Sequence, residues 1–414
     1  MSFATFLRDN ARWIAGGFLL TFFSSYGQTF FIALSAGDIR SEYGLSHGQW
    51  GTLYMVATLA SALTLPKFGQ IVDRRSARGV TLIIVPVLAF ACVLMAVSHH
   101  IVLLAVTIYL LRLFGQGMMS QNAFTAVGRW FAAQRGKALS VTAIGVNAGE
   151  ALFPTLFVFA ALAIGWRNSW LLVAASLIVI ALPLISGLVA VERAPQSQTE
   201  SDPRPSARDW TRGEALRDPY FYLILLGVMA PGFIGTTVFF HQVYLVELRG
   251  WSIEIFATTF LLSSTLTVIS ALIAGSLVDR YSAVRLLPAF LLPLGIACLI
   301  LSSIEAQWSA FAFMGFMGFS YGISTTLFGA LWPEVYGVKH LGAIRAVTVA
   351  IMVFATAMGP GLTGFLIDLG VPYPLQIGAM GLYCFAASVL MYFVSRGLAA
   401  RSLQAPEASA NPQP

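Results

Sequence analysis

The chain is written as a succession of long apolar runs separated by short polar breaks, and no stretch alternates apolar and polar positions over strand length. Twelve runs stand out, at about 13–37, 49–71, 79–98, 101–128, 137–164, 169–191, 219–246, 254–277, 285–304, 307–334, 342–368 and 374–395. Each is near the ~20 residues that carry a helix across a hydrocarbon core ~30 Å thick. A membrane barrel would instead show alternation in segments of about ten residues. The pattern predicts an all-α membrane protein with twelve transmembrane helices in two six-helix bundles. The first run is long and lacks a small-residue cleavage site, so it is expected to stay as a helix rather than leave as a signal peptide.

The halves repeat one another. Residues 69–75 read GQIVDRR and residues 275–281 read GSLVDRY, 206 positions on, each just after an apolar run. The same shift lays Gly44-Leu45-Ser46 on Gly250-Trp251-Ser252, Gly136 on Gly342 and Pro154 on Pro360. A fixed offset held over that distance marks a duplicated unit. The expected domains are a first bundle over 1–190, a cytoplasmic linker over 191–218, a second bundle over 219–396 and a disordered cytoplasmic tail over 397–414. The linker is polar and proline-rich, unable to bury a core. Its short amphipathic stretch Trp210–Leu216 is expected to lie on the membrane surface.

Two six-helix halves, a cytoplasmic linker and a G-x-x-x-D-R loop after the second helix of each half resemble the major facilitator superfamily. Its loop pattern is roughly Gly-x-Leu-Ala-Asp-Arg-x-Gly-Arg-Arg. Gly69, Asp73, Arg74 and Arg78 match, while Ser76 and Ala77 stand where Gly and Arg are usual. The second copy keeps Gly275, Asp279, Arg280 and Arg285. Gly69 and Gly275 would permit close helix approach, and Asp73 would face a helix N-terminus or Arg129. In the second half Arg280 and Glu334 take the matching places with exchanged signs. One reading makes Gly69, Asp73, Arg74, Arg129, Asp279, Arg280 and Glu334 a gate that latches the halves on the cytoplasmic side. The other has these charges only set topology and cap helices.

Composition supports the membrane reading: 57% of residues are hydrophobic and 10% charged, against about 25% charged in soluble domains. The net charge of +6 is explained by placement. With the N-terminus inside, cytoplasmic segments carry 19 Lys/Arg and periplasmic loops three, namely Arg40, Arg167 and Arg249. This positive-inside bias places both termini in the cytoplasm of a bacterial inner membrane and removes any need for a nucleic-acid partner. Cys92, Cys298 and Cys384 fall singly in three runs and read as packing residues, without disulfide or metal-ligand spacing. No phosphate-binding Gly-x-x-x-x-Gly-Lys-Ser/Thr loop or nucleophile motif occurs. A primary pump and an enzyme are therefore disfavoured, and no cofactor is implied.

Ionisable groups at membrane depth are costly and mark function. Arg112 lies ~18 Å from His100 and Glu150 ~21 Å from Gly136 at ~1.5 Å per residue, so both fall near the midplane on consecutive helices. They are expected to pair. Glu150 would take up a proton and free Arg112, whose planar fork suits a carboxylate; the alternative is a permanent structural salt bridge. Arg112 opens RLFGQG, which resembles the superfamily's fourth-helix motif, where the arginine serves substrate binding or proton coupling. His241, in FFHQVYLVE, has a side chain whose ordinary pKa suits a proton site and reads equally as a packing histidine. Tyr26, Gln28, Tyr321 and Ser324 are polar interruptions on helices that line the central cavity in the superfamily the chain resembles, Gln116 and Asn147 add neutral hydrogen-bonding groups, and with Arg112 they form the expected substrate site.

MGPGLTGFLID, within the eleventh run, resembles monocarboxylate transporters of the superfamily, whereas the eighth run, FATTFLLSSTLTVISALIAG, lacks the arginine those members carry. The resemblance implies proton-coupled symport of a small organic anion by a monomer. Proton-driven efflux of amphipathic or drug-like compounds is the alternative, and a transporter-derived receptor is a remote one.

Overall fold

The computed structural model describes residues 3–131, 134–193, 209–337 and 339–409, with the side chains of 3, 4, 73, 135 and 402–409 outside the described set. Among the described residues every regular element is a helix. A short α1 (Phe3–Asp9) leads into α2 (Ala11–Gly27) and α3 (Thr29–Tyr43), two parts of one span bent by 44°. Then come α4 (His47–Arg74), α5 (Ala77–Val97), α6 (Ile101–Trp130), α7 (Arg135–Ile164) and α8 (Trp166–Leu188). The second half contains α9 (Arg212–Ala215), α10 (Pro219–Phe240), α11 (Gln242–Arg249), α12 (Ile253–Tyr281) and α13 (Ala283–Leu286). It closes with α14 (Leu292–Ser303), α15 (Trp308–Tyr336), α16 (Leu341–Asp368) and α17 (Tyr373–Ser409).

Ten of these helices are long and apolar enough to cross a membrane, or eleven with the bent pair counted as one span. The twelve-run pattern differs at its ninth member. There only the 12 residues of α14 form an apolar helix, because Pro288 falls in a turn and Pro293 opens α14. Proline lacks an N–H and is accepted only in the first helical turn. The seventh run is also interrupted: α10 stops at Phe240 and α11 restarts at Gln242. The last helix continues through 397–409, a stretch expected to be tail.

The duplication reaches the backbone. Gly44 and Gly250 end α3 and α11 with φ of 64° and 62°, a left-handed conformation that costs glycine little. Ser46 and Ser252, two residues on, accept backbone N–H bonds from Gln49 and Ile255 and so start the next helices. Ser35 and His241, also 206 apart, share the same local break, with φ/ψ of −95°/10° and −96°/17°.

Contacts divide the chain into two compact units. The first comprises residues 1–201, 238–261 and 360–369, and the second 202–237, 262–359 and 370–414. In the first unit α2 lies against α7 with glycines at the seam. A Cβ on Gly145 or Gly149 would collide with the Phe18 or Phe22 carbonyl and with Thr21 or Ser25. Small residues four apart let helix backbones approach where lipid gives no hydrophobic drive. The second unit uses the same device: Gly318 and Gly322 of α15 lie on the Ser263 and Thr267 carbonyls of α12. Also in the second unit, Trp210 N–H donates to the Tyr336 carbonyl at 3.0 Å. Asp218, 6% exposed, accepts bonds from Tyr336 (3.1 Å) and Arg401 (2.7 Å). The stretch 209–218 is thus docked on protein through α15 and α17. Residues 194–208 of the expected linker lie outside the described residues. Cys92, Cys298 and Cys384 are all buried and unbridged.

Gly149→Val is expected to lower the thermal unfolding temperature by the equivalent of about 1–3 kcal/mol, the usual cost of overpacking. Gly136→Ala, whose new Cβ would meet nothing within 4 Å, should leave it unchanged. Equal effects from the two variants would refute the seam.

Candidate functional site

The geometry of the first unit turns on a break in the first span. Residues Ser24–Gly27 are wound as a 3-10 turn and Gln28 is extended, with φ −82° and ψ 155°. Opposite the break, Leu111–Met119 of α6 is π-wound, a local loosening found mostly at functional sites. No side chain separates the two. A Cβ on Gly27 would stand 2.6 Å from Gly115 Cα and 2.7 Å from Gln116 N. Arg112, 5% exposed, reaches across this seam. Its Nη1 donates to the Gly27 carbonyl and to Thr29 Oγ1, both at 3.3 Å, and its guanidinium carbon lies 5.6 Å from the Tyr54 ring centroid. Tyr54 OH donates to the same Thr29 oxygen at 2.7 Å. Arg112 Nε is buried with no partner.

The expected Arg112–Glu150 ion pair is not formed. The carbonyl freed by the broken helix and the Thr29 hydroxyl hold the guanidinium instead. Glu150, beside the Gly149 seam, is partly exposed and has neither a hydrogen bond nor an ion pair among the described residues. Gln28, Gln116 and Asn147 are partly exposed in the same unit. Tyr26 is not among these exposed groups. It packs in an aromatic core with Phe31 and Phe153, at 5.0 and 4.3 Å between ring centroids, and its hydroxyl meets Ser176 at 3.3 Å. Tyr26 lies in the 3-10 turn Ser24–Gly27, which rotates each residue further than an α-turn.

Tyr321 and Ser324 belong to the second unit. Tyr321 OH donates to the Pro231 carbonyl at 3.0 Å, and Ser324 bonds back to Ser320 O at 2.7 Å within its own helix. His241 is buried, with Nε2 3.2 Å from the Pro360 carbonyl and its ring centroid 6.1 Å from that of His47. Beside it Gln242 donates to Phe30 O at 2.8 Å.

The repeated loop motif splits in use. Gly69 sits against the Gln121 amide, but a Cβ on Gly275 would meet open space, so the close approach expected of both glycines is used by one. Arg129 donates to the Val72 carbonyl at 3.0 Å, while the Asp73 side chain lies outside the described residues. Arg74, Asp279 and Arg280 are exposed. Arg280 lies 5.2 Å from the Tyr281 ring and is not paired with Glu334. Glu334 instead accepts the Ala283 N–H at 2.8 Å at the start of α13. The equivalent amide in the first half, Ala77 N–H, is held at 3.1 Å by Glu192, which also accepts the Trp130 indole N–H at 2.9 Å. Equivalent amides are thus capped by acids from non-equivalent positions, which a fixed offset could not reveal.

A second polar focus in the first unit was not foreseen. Asp368, at the end of α16, accepts from Ser46 Oγ (2.6 Å), His47 N–H (3.1 Å) and Gly48 N–H (2.8 Å) at the start of α4. A carboxylate there completes the unsatisfied first turn of a helix and meets its positive dipole end. Gly51 and Gly364 let α16 touch the α4 backbone, since a Cβ on either would strike the Pro360 or His47 carbonyl. The only signal in sequence was two glycine pairs spaced by three, Gly48/Gly51 and Gly361/Gly364. Thr29 and Tyr54 gave none.

Asp368→Ala is expected to cost about 1 kcal/mol of unfolding free energy, as caps do, and Ser46→Ala a similar amount. The double variant should lose less than the sum, because the two side chains are bonded to each other. Thermal unfolding of the four proteins measures this coupling, and strict additivity would refute it.

The Major Facilitator Superfamily pattern matches residues 17–343. Solved structures of a bacterial homolog of the human lysosomal transporter Spinster share the fold. In its inward-facing, unoccupied form the TM-score is 0.74 at 16% identity, over 94% of this chain and 98% of that one. In its inward-facing, occupied form the TM-score is 0.66 at 15% identity, over 97% of each chain. No curated protein sequence matches. With the family pattern covering most of its length, its helices long enough to span a bilayer, and its fold that of a solved transporter, the chain belongs to the major facilitator superfamily and is a multi-pass membrane transporter.

Proposed function

We propose that the protein moves a small organic anion across a bacterial inner membrane by proton-coupled alternating access, working as a monomer with both termini in the cytoplasm. The observation that carries this reading is Arg112. A buried charge needs a counter-charge, yet among the described residues this guanidinium has only a carbonyl, a hydroxyl and a tyrosine ring around it. The missing counter-charge is the substrate's. Gln28, Gln116 and Asn147 contribute neutral hydrogen bonds from the first bundle (1–190), and Tyr321 and Ser324 serve the second (219–396). Residues 191–218 link the bundles, and the last helix carries the chain past the second bundle through 397–409. Tyr26 supports the site from behind.

Glu150 carries the coupling proton, and its lack of a partner leaves it free to titrate. His241 is a second candidate. The Asp368 cap on α4 closes the outer end, and Gly69, Asp73, Arg74, Arg129, Asp279, Arg280 and Glu334 work the inner one. The sidedness follows the Lys/Arg bias of the loops. One observation favours the alternative of amphipathic efflux: the unpaired Glu150 carboxylate would also suit a cation.

Thermal unfolding of the purified protein with acetate, lactate, benzoate or tetraphenylphosphonium, at acid and alkaline pH, separates the two. A ligand at ~100 times its Kd adds roughly 2.7 kcal/mol. The expected result is stabilisation by a carboxylate, stronger at acid pH and lost in Arg112→Gln. In proteoliposomes Glu150→Gln should abolish accumulation driven by a proton gradient while sparing exchange. Stabilisation by the phosphonium alone would replace this reading with efflux.

A further inference from the structure

We infer that the Gly27 carbonyl stands in for the substrate's anionic oxygen, so that anion binding at Arg112 and the bend of the first span form one equilibrium. This rests on the anion reading above and extends it to the conformational step. In an unbroken helix the Gly27 carbonyl would accept the Phe31 N–H. Here Gln28 is extended, and the N–H groups of Phe31 and Ile32 both go to the Gln28 carbonyl, at 3.2 and 3.1 Å. The Gly27 carbonyl is thereby dropped from the helical ladder, and Arg112 takes it. The break thus supplies the arginine with a ligand, and the arginine satisfies the carbonyl that the break exposes.

The arrangement is weakly filled. Both Arg112 bonds are 3.3 Å, longer than the ~2.7–2.9 Å of a good charge-assisted pair, and buried Nε has no acceptor. A carboxylate can offer two shorter bonds to the planar fork. Once it does so, the Gly27 carbonyl loses its donor. A buried carbonyl without a donor is unfavourable, and the donor at hand is Phe31 N–H. Recovering it requires Gln28 to turn helical, which relaxes the 44° bend between α2 and α3. The bare Gly27–Gly115 contact leaves no side chain to absorb the movement.

Thr29 and Tyr54 are positioning residues in this scheme. Tyr54 donates its hydroxyl proton to Thr29 Oγ1, which leaves that oxygen an acceptor directed at Arg112. They keep the guanidinium in place while its other partner changes from carbonyl to substrate.

The test places spin labels on Ala11→Cys and Ser41→Cys, exposed positions on the two arms, and reads their distance in the full-length protein. Cys92, Cys298 and Cys384 are buried and can stay. Straightening the bend should lengthen the span by about 3 Å at 1.5 Å per residue. The expected result is that lengthening on adding the strongest stabiliser among acetate, lactate and benzoate. Arg112→Gln should show the longer distance without ligand and no further response. Arg112→Lys, which keeps a donor for the Gly27 carbonyl but cannot fork, should hold the unliganded distance and lose most of the lengthening with carboxylate, and it serves if the glutamine variant does not fold.

Thr29→Val should weaken carboxylate binding about tenfold or more, as loss of a bond to a charged group does, without moving the unliganded distance. Thr29→Ser should restore binding. Carboxylate stabilisation with an unchanged distance, and a wild-type distance in Arg112→Gln, would overturn the coupling and leave the anion reading standing. If no carboxylate stabilises the protein, the anion reading falls, and the unliganded distance in Arg112→Gln then decides the Gly27 clamp by itself.

Discussion

A guanidinium within a membrane-spanning helix must be given partners inside the protein, because neither lipid nor a distant aqueous phase supplies them. Around Arg112 those partners are made by distorting two helices. The first span abandons its ladder for one residue and exposes a carbonyl, and α6 loosens into a π-wound stretch opposite it. Each distortion would be unfavourable alone. Together they place a freed acceptor against an unsatisfied donor.

The second unit carries a neutral counterpart. Tyr321 of α15 reaches a carbonyl of α10 at Pro231, the helices equivalent by the 206-residue offset to α6 and to the first span. Both units thus bond a polar side chain of their fourth helix to a backbone carbonyl of their first. Only one of the two side chains is charged. The duplication therefore supplied a repeated scaffold on which one copy became the electrostatically demanding one.

Glycine seams set how closely the helices approach. The α2–α7 contact, the α12–α15 contact and the seating of α16 on α4 all bring backbone to backbone. In lipid, such contacts rest on dispersion and short polar bonds rather than on removal of water. They are dense but locally replaceable, as a transporter needs if helices are to part and re-form their seams. The Asp368 cap is of the same kind: three hydrogen bonds at one helix start, enough to fix a register and few enough to break.

By itself the sequence determined the all-helical membrane architecture, the internal duplication, the helix-starting turns at Gly44 and Gly250, and the singling out of Arg112 and Glu150. These follow from hydrophobic run length, a fixed offset and the cost of charge in lipid, all of which are local or periodic properties of the chain. It did not determine partners. The Arg112–Glu150 pair was inferred from matching depth on neighbouring helices, and depth says nothing of azimuth. A 3-10 turn at Ser24–Gly27 and π-winding at Leu111–Met119 rotate side chains away from the positions that a 3.6-residue period assigns. Thr29, Tyr54 and Asp368 escaped notice because their role is to complete a broken helix or a helix start elsewhere in the chain. Which backbone groups are left unsatisfied is known only once the helices have been bent and packed, and that the tertiary structure alone decided.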